Sequence, residues 1–346
     1  MKALTVQPGV AGSAALTDVP EPALDDGAVL VQTLAIGVCG TDAEIVEGLY
    51  GEAPSGEDRL VIGHESLGKV LEAPASSAVQ PGDHVVGIVR RPDPEPCPAC
   101  AVGEWDMCRN GRYTERGIKG RHGYCSERYR IEPAYAVKVD PSLGLLGVLL
   151  EPASVVAKAW THIDTIASRA AYRPKRALVT GAGPIGLLAA LLGVQRGLQV
   201  RVVDIVTSGP KPALVEALGA SYHAGEVAAL ARDADIVIEC TGVGQVVFDV
   251  MANNAPGATV CLTGVSSSRA LQVDMGALNR SMVLDNDVVF GSVNANRTHY
   301  GAAAAALADA DRDWLAGLIT RREPLDQWRR ALNKGADDIK VVLELP

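Results

Sequence analysis

A glycine-rich turn near the middle of the chain constrains its fold more than any other feature. The apolar run Arg176–Thr180 (RALVT) is typical of a buried strand, and 181–186 (GAGPIG) follows it directly. The apolar run Ile185–Arg196 has the length of a helix, and Asp204 lies 23 positions after Gly181. A G-x-G-x-x-G turn between a strand and a helix, with an acidic residue about 20 positions further on, is the fingerprint of a dinucleotide-binding βαβ unit. The sequence therefore predicts such a unit here.

Each glycine of this turn has a separate physical role. Gly181 permits the tight turn, Gly183 lets the backbone approach a pyrophosphate, and Gly186 lets the helix pack closely on the strand. Pro184 and Ile185 open the helix, whose unpaired N–H groups would bind the phosphates. The alternative, a glycine-rich turn in a fold that binds no nucleotide, is weakened by the strand, the helix and the acidic residue around the motif.

Asp204 predicts which dinucleotide is bound. At the end of the second strand, its carboxylate would accept hydrogen bonds from the adenosine ribose hydroxyls. It would repel a 2′-phosphate, so NAD is favoured over NADP. Lys211 lies seven residues further on and moderates this preference, so NADP remains an alternative cofactor.

Elsewhere the hydrophobic pattern predicts an α/β chain with a second, β-rich part. Residues 1–90 show short apolar runs separated by Gly, Pro and Asp, without helical periodicity, and residues 91–128 are rich in Pro, Cys, Gly and Arg. From residue 175 strands alternate with helices, which indicates βαβ units and a parallel, doubly wound sheet. Residues 300–320 are predicted to be helical. The predicted strands after 175 are Arg176–Thr180, Gln199–Asp204, Asp235–Cys240, Thr259–Gly264, Asp287–Gly291 and Val341–Leu345.

Charge and composition exclude some classes of protein. The net charge is −9, which argues against a general nucleic-acid binder, since phosphates require a basic surface. The apolar run Ile185–Val194 is too short to span a bilayer, and the N-terminus has no apolar h-region, so we expect a cytoplasmic protein without a membrane segment. Seven cysteines, an odd number, favour metal binding or catalysis over disulfides in that compartment.

Three short motifs carry residues with metal-ligand chemistry. Cys39 lies in GVCGTD, His64 lies in GHE, and Glu151 precedes a proline. A thiolate, an imidazole and a carboxylate suit Zn²⁺ with one position left for water or substrate. Their spacing alone does not show that they converge. Taken singly, Cys39 could be a small buried apolar residue and His64 a core histidine.

Together, these motifs resemble one family along almost the whole chain. GVCGTD at 37–42, GHE at 63–65, GDHVV at 82–86, the cysteine-rich segment and GAGPIG are similar to the zinc-dependent medium-chain alcohol dehydrogenases. Within that family the chain resembles the glucose (aldose) dehydrogenases of archaea and bacteria. The stretches that carry this narrower resemblance are 89–92 (VRRP), 115–118 (ERGI), 122–124 (HGY), 151–152 (EP) and 291–294 (GSVN).

The resemblance implies an architecture and a set of active-site residues. Residues 1–155 would form a GroES-like, β-rich catalytic domain with a cysteine-rich lobe at 92–128, residues 156–292 a Rossmann domain, and residues 293–346 a return to the catalytic domain. A homo-oligomer, a dimer or a tetramer, is also implied. The implied catalytic zinc ligands are Cys39 and His64, with Glu65 as a ligand or an adjacent switching carboxylate and Glu151 as a ligand, directly or through water. Thr41 matches the family's proton-relay hydroxyl. Thr241 and Asn294 are expected cofactor contacts beside the glycine motif.

The implied reaction is oxidation of a sugar hydroxyl. Hydride would pass from the anomeric carbon to the nicotinamide, and the product would be a lactone. Glu115 and Asn294 are the implied sugar-binding residues, although Glu115 could instead pair with Arg90 or Arg116 and Asn294 could cap backbone. His299 and Arg297 are alternative sugar-binding residues, although we expect His299 on the surface. The alternative function is oxidation of another secondary alcohol, such as a polyol, a cyclitol or a biosynthetic intermediate.

The cysteine-rich lobe predicts a second, structural zinc. Cys97, Cys100 and Cys108 have the spacing of a metal knuckle, but relatives often carry a further cysteine where this chain has Pro94. Three thiolates leave a tetrahedral zinc site incomplete. The alternative is a lobe without metal that keeps its fold by packing. The candidates for a fourth ligand are Asp93, Glu95, Asp106 and Cys125.

Overall fold

The computed structural model describes residues 1–266 and 269–346. Contacts divide the chain into two compact units. We call Met1–Ser154 together with Asn294–Pro346 the β-rich unit, and Val155–Val293 the parallel-sheet unit.

The first part of the chain is almost entirely strands and short turns. Two short helices interrupt it, α1 (Gly40–Val46) and α2 (Pro98–Ala101), so the expectation that residues 1–90 lack helix is wrong at α1. Short 3₁₀ turns occupy Leu24–Asp26, Trp105–Met107, Pro133–Tyr135 and Pro141–Leu149. The strands are β1 (Lys2–Val6), β2 (Ala15–Asp18), β3 (Val29–Val38), β4 (Leu60–Val61), β5 (Glu65–Glu72), β6 (His84–Gly87), β7 (Arg90–Arg91), β8 (Thr114–Arg116), β9 (Gly120–Arg121), β10 (Arg128–Ile131) and β11 (Ala136–Val139).

The parallel-sheet unit contains a six-stranded sheet whose paired strands are all parallel, in the order β14-β13-β12-β15-β16-β17. Its strands are β12 (Arg176–Thr180), β13 (Gln199–Val203), β14 (Ser221–His223), β15 (Ile236–Glu239), β16 (Thr259–Leu262) and β17 (Val288–Gly291). The helices up to this point are α3 (Leu150–Ala167), α4 (Pro184–Gln195), α5 (Pro210–Ala217), α6 (Val227–Ala231), α7 (Gly244–Ala252) and α8 (Met275–Asp285).

Burial explains why the strands of the parallel sheet appear in the sequence as apolar runs, without alternation of apolar and polar residues. All four residues of β15 are buried, as is most of β12. A strand of a parallel sheet is covered on both faces, so neither face needs polar side chains. The predicted α/β class, with a β-rich domain and a doubly wound parallel sheet, is confirmed.

The chain ends in the β-rich unit. Its last elements are α9 (Arg297–Ala308), α10 (Arg312–Leu318), β18 (Ile319–Pro324), a 3₁₀ turn (Leu325–Gln327), α11 (Trp328–Leu332) and β19 (Lys340–Glu344). The helix predicted at 300–320 is therefore two helices, and the second begins after Asp311, whose side chain accepts a hydrogen bond from the Trp314 N–H.

β3 organises the β-rich unit because three other strands pair with it. Its first six residues alternate between buried and half-buried positions, as a strand with one face on a core does. β5, β10 and β19 all run antiparallel to it. The last of these pairings brings the C-terminal strand beside Val38, at the end of β3, which leads directly into the first metal-ligand motif.

One continuous segment, Pro141–Ala167, is long and apolar enough to cross a membrane by length and composition. It is a different segment from the apolar run Ile185–Val194. Within its apolar window, 72% of the residues are buried inside the protein. Such burial is that of a core helix, whose apolar side chains contact protein on most sides.

Candidate active site

Cys39, His64 and Glu65 lie together in the β-rich unit. Cys39 Sγ is 3.0 Å from His64 Nε2, and one ligand atom from each of the three side chains lies within 4.8 Å of the others. Cys39 follows the end of β3 and caps α1, while Glu65 begins β5. β3 and β5 pair antiparallel with Gly37 opposite Glu65, so the strand register brings the two motifs side by side. We call these three residues the Cys39 cluster.

A residue distant in sequence, Lys340, contacts the Glu65 carboxylate. Lys340 in β19 donates to both carboxylate oxygens, at 2.7 and 2.5 Å, and to the Val38 carbonyl at 3.3 Å. Both Glu65 and Lys340 are buried. Burial lowers the pKa of Lys340, but Glu65 and Cys39 raise it above its usual value overall. The two side chains form a buried ion pair. Opposite Glu65, Gly37 is required because a Cβ there would lie 2.1 Å from Glu65 Oε2.

Asp42 faces the other side of the His64 ring. Its Oδ1 lies 3.4 Å from His64 Nδ1, and its Oδ2 accepts a hydrogen bond from the Cys39 N–H at 3.0 Å. Burial lowers the pKa of His64, but Cys39 and Asp42 raise it well above its usual value overall. A carboxylate behind a histidine fixes which ring nitrogen faces a metal, and here the nitrogen on the side of Cys39 is Nε2.

Glu151 lies close enough to this cluster to interact with it electrostatically. It is buried in the first turn of α3. Burial raises its pKa to about 7; His64 lowers that pKa, and Glu65 raises it. Among the described residues, the group within 4.8 Å comprises Cys39, His64 and Glu65 and leaves Glu151 outside it.

The donor set of this cluster fits a zinc ion. It offers sulfur, nitrogen and oxygen, the three ligand types of catalytic zinc sites. Acidic side chains outnumber basic ones here, because Asp42, Glu65 and Glu151 surround His64 while Lys340 pairs with one of them. A divalent cation would compensate this excess of negative charge.

Thr41 lies in the first turn of α1, two residues after Cys39. Its side chain is half-buried, and within the described part of the chain its hydroxyl forms no hydrogen bond. The Thr41 hydroxyl is therefore free to take part in proton transfer.

Glu115 and Asn294, predicted as sugar-binding residues, contact each other. Glu115 Oε1 accepts hydrogen bonds from Arg90 Nε and Nη2, at 3.1 and 3.0 Å, and from Asn294 Nδ2 at 2.8 Å. Glu115 Oε2 accepts none from the described residues. Of the two arginines considered as partners of Glu115, Arg90 forms the pair, whereas Arg116 donates to carbonyls of His122, Asp26 and Arg130.

Asn294 has an unusual backbone. Its φ is +62°, which L side chains other than Asn and Asp adopt rarely. Its Oδ1 accepts a hydrogen bond from the Ala295 N–H at 2.8 Å, so the backbone-capping role coexists with the contact to Glu115.

The prediction that His299 lies on the surface is wrong. His299 is buried in the first turn of α9, and its Nδ1 is 3.8 Å from Asp106 Oδ2. Asp106 also accepts a hydrogen bond from Asn296 Nδ2 at 2.9 Å, and its carbonyl accepts one from Arg90 at 3.2 Å. The sequence alone does not reveal this network, because its members are distant in the chain; Asn296 and Asp106, for example, are 190 residues apart.

The three lobe cysteines also lie within 4.8 Å of one another. Cys97 Sγ accepts hydrogen bonds from the backbone N–H groups of Arg109 and Cys100, at 3.4 and 3.5 Å. These hydrogen bonds, of which the one from Arg109 has the larger effect, lower the pKa of Cys97 to about 6. Burial raises the pKa of Cys100 to about 11. Thiolates that accept backbone N–H bonds in this way are suited to metal binding.

Among the described residues, the group formed by the three lobe cysteines includes none of the four candidates for a fourth ligand, which are Asp93, Glu95, Asp106 and Cys125. Asp93 accepts hydrogen bonds from the Glu95 N–H and Arg112 Nε, and Asp106 belongs to the His299 network. Cys125 does not fold back onto the lobe; it packs in the core of the β-rich unit.

The glycine motif has the geometry expected of a phosphate-binding turn. Gly181 has φ +85°, and a Cβ on Gly186 would lie 1.8 Å from the Gly181 carbonyl oxygen, so neither position accepts a side chain. Gly183 precedes α4, and no heavy atom lies within 4 Å of the position that its Cβ would take. The space above Gly183 is open where a phosphate would approach the helix.

Asp204 is tied to the same turn. Its Oδ2 accepts hydrogen bonds from the Ala182 N–H at 2.6 Å and from Lys211 Nζ at 3.3 Å. Burial raises the pKa of Asp204, but the Ala182 N–H and Lys211 lower it below its usual value overall. Thr241, the other predicted cofactor contact in this unit, donates its hydroxyl to Glu239 and accepts from the Val243 N–H.

Two family models match the chain. The glucose dehydrogenase C-terminus matches residues 144–345, and the alcohol dehydrogenase GroES-like domain matches residues 25–141. The first covers more than half of the chain.

Curated relatives and solved structures match over nearly the full length. The chain is 40% identical to a glucose 1-dehydrogenase of Methanocella arvoryzae and 41% identical to one of Thermoproteus tenax, and each match covers 100% of this chain and 99% of the relative. It superposes with a TM-score of 0.92, at 34% identity, on Haloferax mediterranei glucose dehydrogenase in complex with NADP, Zn and gluconolactone, covering 100% of this chain and 99% of that one.

Proposed function

Because this chain belongs to the zinc-dependent medium-chain dehydrogenases, within the glucose dehydrogenases, we propose that it oxidises the anomeric hydroxyl of an aldose such as glucose. The hydride passes to NAD or NADP, and the sugar becomes a lactone. The observation that carries this proposal is the convergence of Cys39, His64 and Glu65 on one point. The complex of the Haloferax mediterranei relative with NADP, Zn and gluconolactone supports it.

The Cys39 cluster would hold the catalytic zinc. Cys39, His64 and Glu65 would be ligands, and Glu151 would bind directly or through water. When bound, zinc acts as a Lewis acid that lowers the pKa of the sugar hydroxyl. Asp42 lies behind the His64 ring, 3.4 Å from its Nδ1, and Lys340 donates to both oxygens of the Glu65 carboxylate.

Residues of the chain provide the remaining steps. Thr41 would relay the proton of the sugar hydroxyl: its Oγ1 accepts that proton while its own O–H proton passes to water, so that the proton leaves towards solvent and Thr41 stays neutral. Glu115 Oε2 accepts a hydrogen bond from a sugar hydroxyl, since Oε1 is fully occupied. Asn294 and Arg90 hold Glu115 in position, which orients the sugar.

The parallel-sheet unit would bind the dinucleotide at the glycine motif. Gly181, Gly183 and Gly186, with Pro184 and Ile185, form the pyrophosphate turn. Asp204 favours NAD through the ribose hydroxyls, and its pairing with Lys211 reduces the repulsion that a 2′-phosphate would meet. We therefore propose NAD as the preferred cofactor and NADP as a second one.

The lobe cysteines Cys97, Cys100 and Cys108 would hold a structural zinc that supports folding. With three protein ligands, the fourth position would be taken by water. This site is separate from turnover.

A homo-oligomer, a dimer or a tetramer, fits the edge of the parallel sheet. β17 is the terminal strand of that sheet, and among the described residues no further strand pairs with its outer side. Apolar side chains near it are exposed, including Val283, Leu284 and Val293. We propose that a second copy covers this edge and that the protein acts in the cytoplasm.

A substrate panel tests the proposed reaction. The purified protein is assayed for reduced nicotinamide with aldoses, polyols, cyclitols and simple alcohols, each with NAD and with NADP. Glucose or another aldose is expected to give the highest kcat/KM, and the product is expected to be a lactone. Faster turnover of a polyol or cyclitol would support the alternative function instead.

A further inference from the structure

Glu239 is a buried carboxylate that the proposed reaction does not use. It ends β15 and has no solvent exposure. No lysine, arginine or histidine among the described residues forms an ion pair with it. A buried charge without a cation persists only where several donors satisfy it, so its hydrogen bonds indicate what it does.

The donors to this carboxylate come from two loops at the carboxyl ends of neighbouring strands. Oε1 accepts from Thr180 Oγ1 at 3.1 Å, from the Thr241 N–H at 2.7 Å and from the Thr241 hydroxyl. The Gly242 N–H lies 3.2 Å from Oε1 and 3.1 Å from Oε2. Thr180 ends β12 immediately before Gly181, so the carboxylate joins the loop after β15 to the start of the glycine motif.

A third loop is joined through the main chain of the same residue. The Glu239 carbonyl accepts from the Thr263 N–H at 2.8 Å, the Gly264 N–H at 3.1 Å and Thr263 Oγ1 at 2.7 Å. The Gly264 backbone is packed against the carboxylate, because a Cβ there would lie 2.8 Å from Oε2. Glu239 thus connects the loops that follow β12, β15 and β16.

These loops surround the turn proposed to hold the pyrophosphate. A Cβ on Gly181 would lie 3.0 Å from Thr241 Cγ2, so the Thr241 side chain packs against the turn. Parallel α/β sheets bind their ligands at the carboxyl ends of the strands.

We propose that Glu239 is a positioning residue for the dinucleotide: it fixes the relative placement of three loops at the carboxyl edge of the parallel sheet. The inference rests on the proposed function, because it takes the glycine motif to hold NAD or NADP. A carboxylate is suited to this role because both of its oxygens only accept hydrogen bonds. In Glu239→Gln the amide oxygen keeps the donors at the Oε1 position, and the amide nitrogen takes the Oε2 position. There it faces the Gly242 N–H, which is 3.1 Å from Oε2 in the wild type, so two donors oppose each other.

The test compares dinucleotide affinity in Glu239→Gln with that in the wild type. NADH binding is followed by fluorescence, and thermal unfolding is recorded alongside. We expect the Kd for NADH and the KM for NAD to rise about tenfold, because a loop displaced from its position loses contacts with the dinucleotide. At saturating dinucleotide, kcat and the KM for sugar are expected to stay within about threefold of the wild-type values.

Two further variants make the test decisive. Thr180→Val removes one hydrogen-bond donor to Glu239 with little change of side-chain shape, and it is expected to raise the Kd for NADH by a smaller factor. This variant replaces Glu239→Gln in the test if Glu239→Gln does not fold. Glu226→Gln neutralises an exposed glutamate of the same unit and is expected to leave the Kd unchanged.

The outcomes separate this inference from the proposed function. If the wild type binds no dinucleotide, the proposed function fails. If the wild type binds NADH and both Glu239→Gln and Thr180→Val bind it equally well, the inference is overturned. A lower melting temperature with an unchanged Kd also overturns it, because Glu239 would then be a structural residue alone.

Discussion

Lys340 shows how a single buried charge depends on its partner. Its ammonium contacts both oxygens of Glu65, and both side chains are withdrawn from water. Desolvating two charges costs free energy that their attraction regains only while both partners remain. Loss of either partner therefore leaves one uncompensated charge in the interior.

Lys340→Met is expected to lower the free energy of unfolding by about 3–5 kcal/mol, because it leaves the Glu65 carboxylate buried without a cation. Denaturant unfolding measures the change. The double variant Glu65→Gln with Lys340→Met should recover part of the loss.

Lys138→Met provides the matched control, since Lys138 pairs with Asp83 at the surface. Exposed ion pairs contribute about 1 kcal/mol or less, so this variant should change little. Equal stabilities of Lys340→Met and the wild type would contradict the assignment of a buried, charged pair.

The sequence motifs drew attention to Cys39, His64 and Glu65 but not to their supports. GVCGTD and GHE are local patterns and can be read directly. Lys340 is 275 residues away from Glu65, and only the register of β19 on β3 brings them together. Arg90 was considered as a partner of Glu115, but nothing in the sequence chose between it and Arg116.

At the scale of elements, the turn after β12 and the end of β13 act together. Asp204 accepts a hydrogen bond from the Ala182 N–H within the glycine motif. One carboxylate therefore fixes the motif and would also face the ribose of a bound dinucleotide. Cofactor choice is thus a property of this βαβ unit.

Asp204→Ala is expected to raise the KM for NAD more than the KM for NADP. Removing the carboxylate takes away the acceptor for the ribose hydroxyls and the charge that repels a 2′-phosphate, while Lys211 remains. Steady-state kinetics with both cofactors at fixed sugar concentration measures the change.

Glu216→Ala removes an exposed acidic side chain from α5 in the same unit and should leave the ratio of the two KM values unchanged. An equal loss of NAD and NADP use in Asp204→Ala would contradict the assignment of Asp204 as the residue that selects the cofactor.

Element prediction succeeded where apolar runs were long and failed where they were short or broken. The strand at Arg176–Thr180 was predicted with its observed bounds. β14 was missed because Ser221–His223 is only three residues long and none of them is aliphatic. The helical segment at 300–320 was predicted as one element because the alanine-rich pattern hides the new N-terminus at Asp311.

For the molecule as a whole, long-range pairing determines the candidate site. The β-rich unit takes its strands from both ends of the chain, and β19 pairs with β3 next to Cys39. Spacing in the sequence could not show this convergence, whereas resemblance to a family could, because the family shares the topology. The similarity over the full chain length agrees with that resemblance.

Reconstitution with zinc tests the central claim most directly: that the Cys39 cluster holds a zinc ion on which turnover depends. The wild type is stripped with a chelator and titrated with Zn²⁺ while aldose-dependent formation of reduced nicotinamide is followed. Activity is expected to be lost on stripping and to return as zinc is added. Cys39→Ala should stay inactive at every zinc concentration and still bind NADH by fluorescence, whereas Cys261→Ala, a buried cysteine of β16, should behave as the wild type does. Undiminished turnover in the stripped protein, or in Cys39→Ala, would contradict the account.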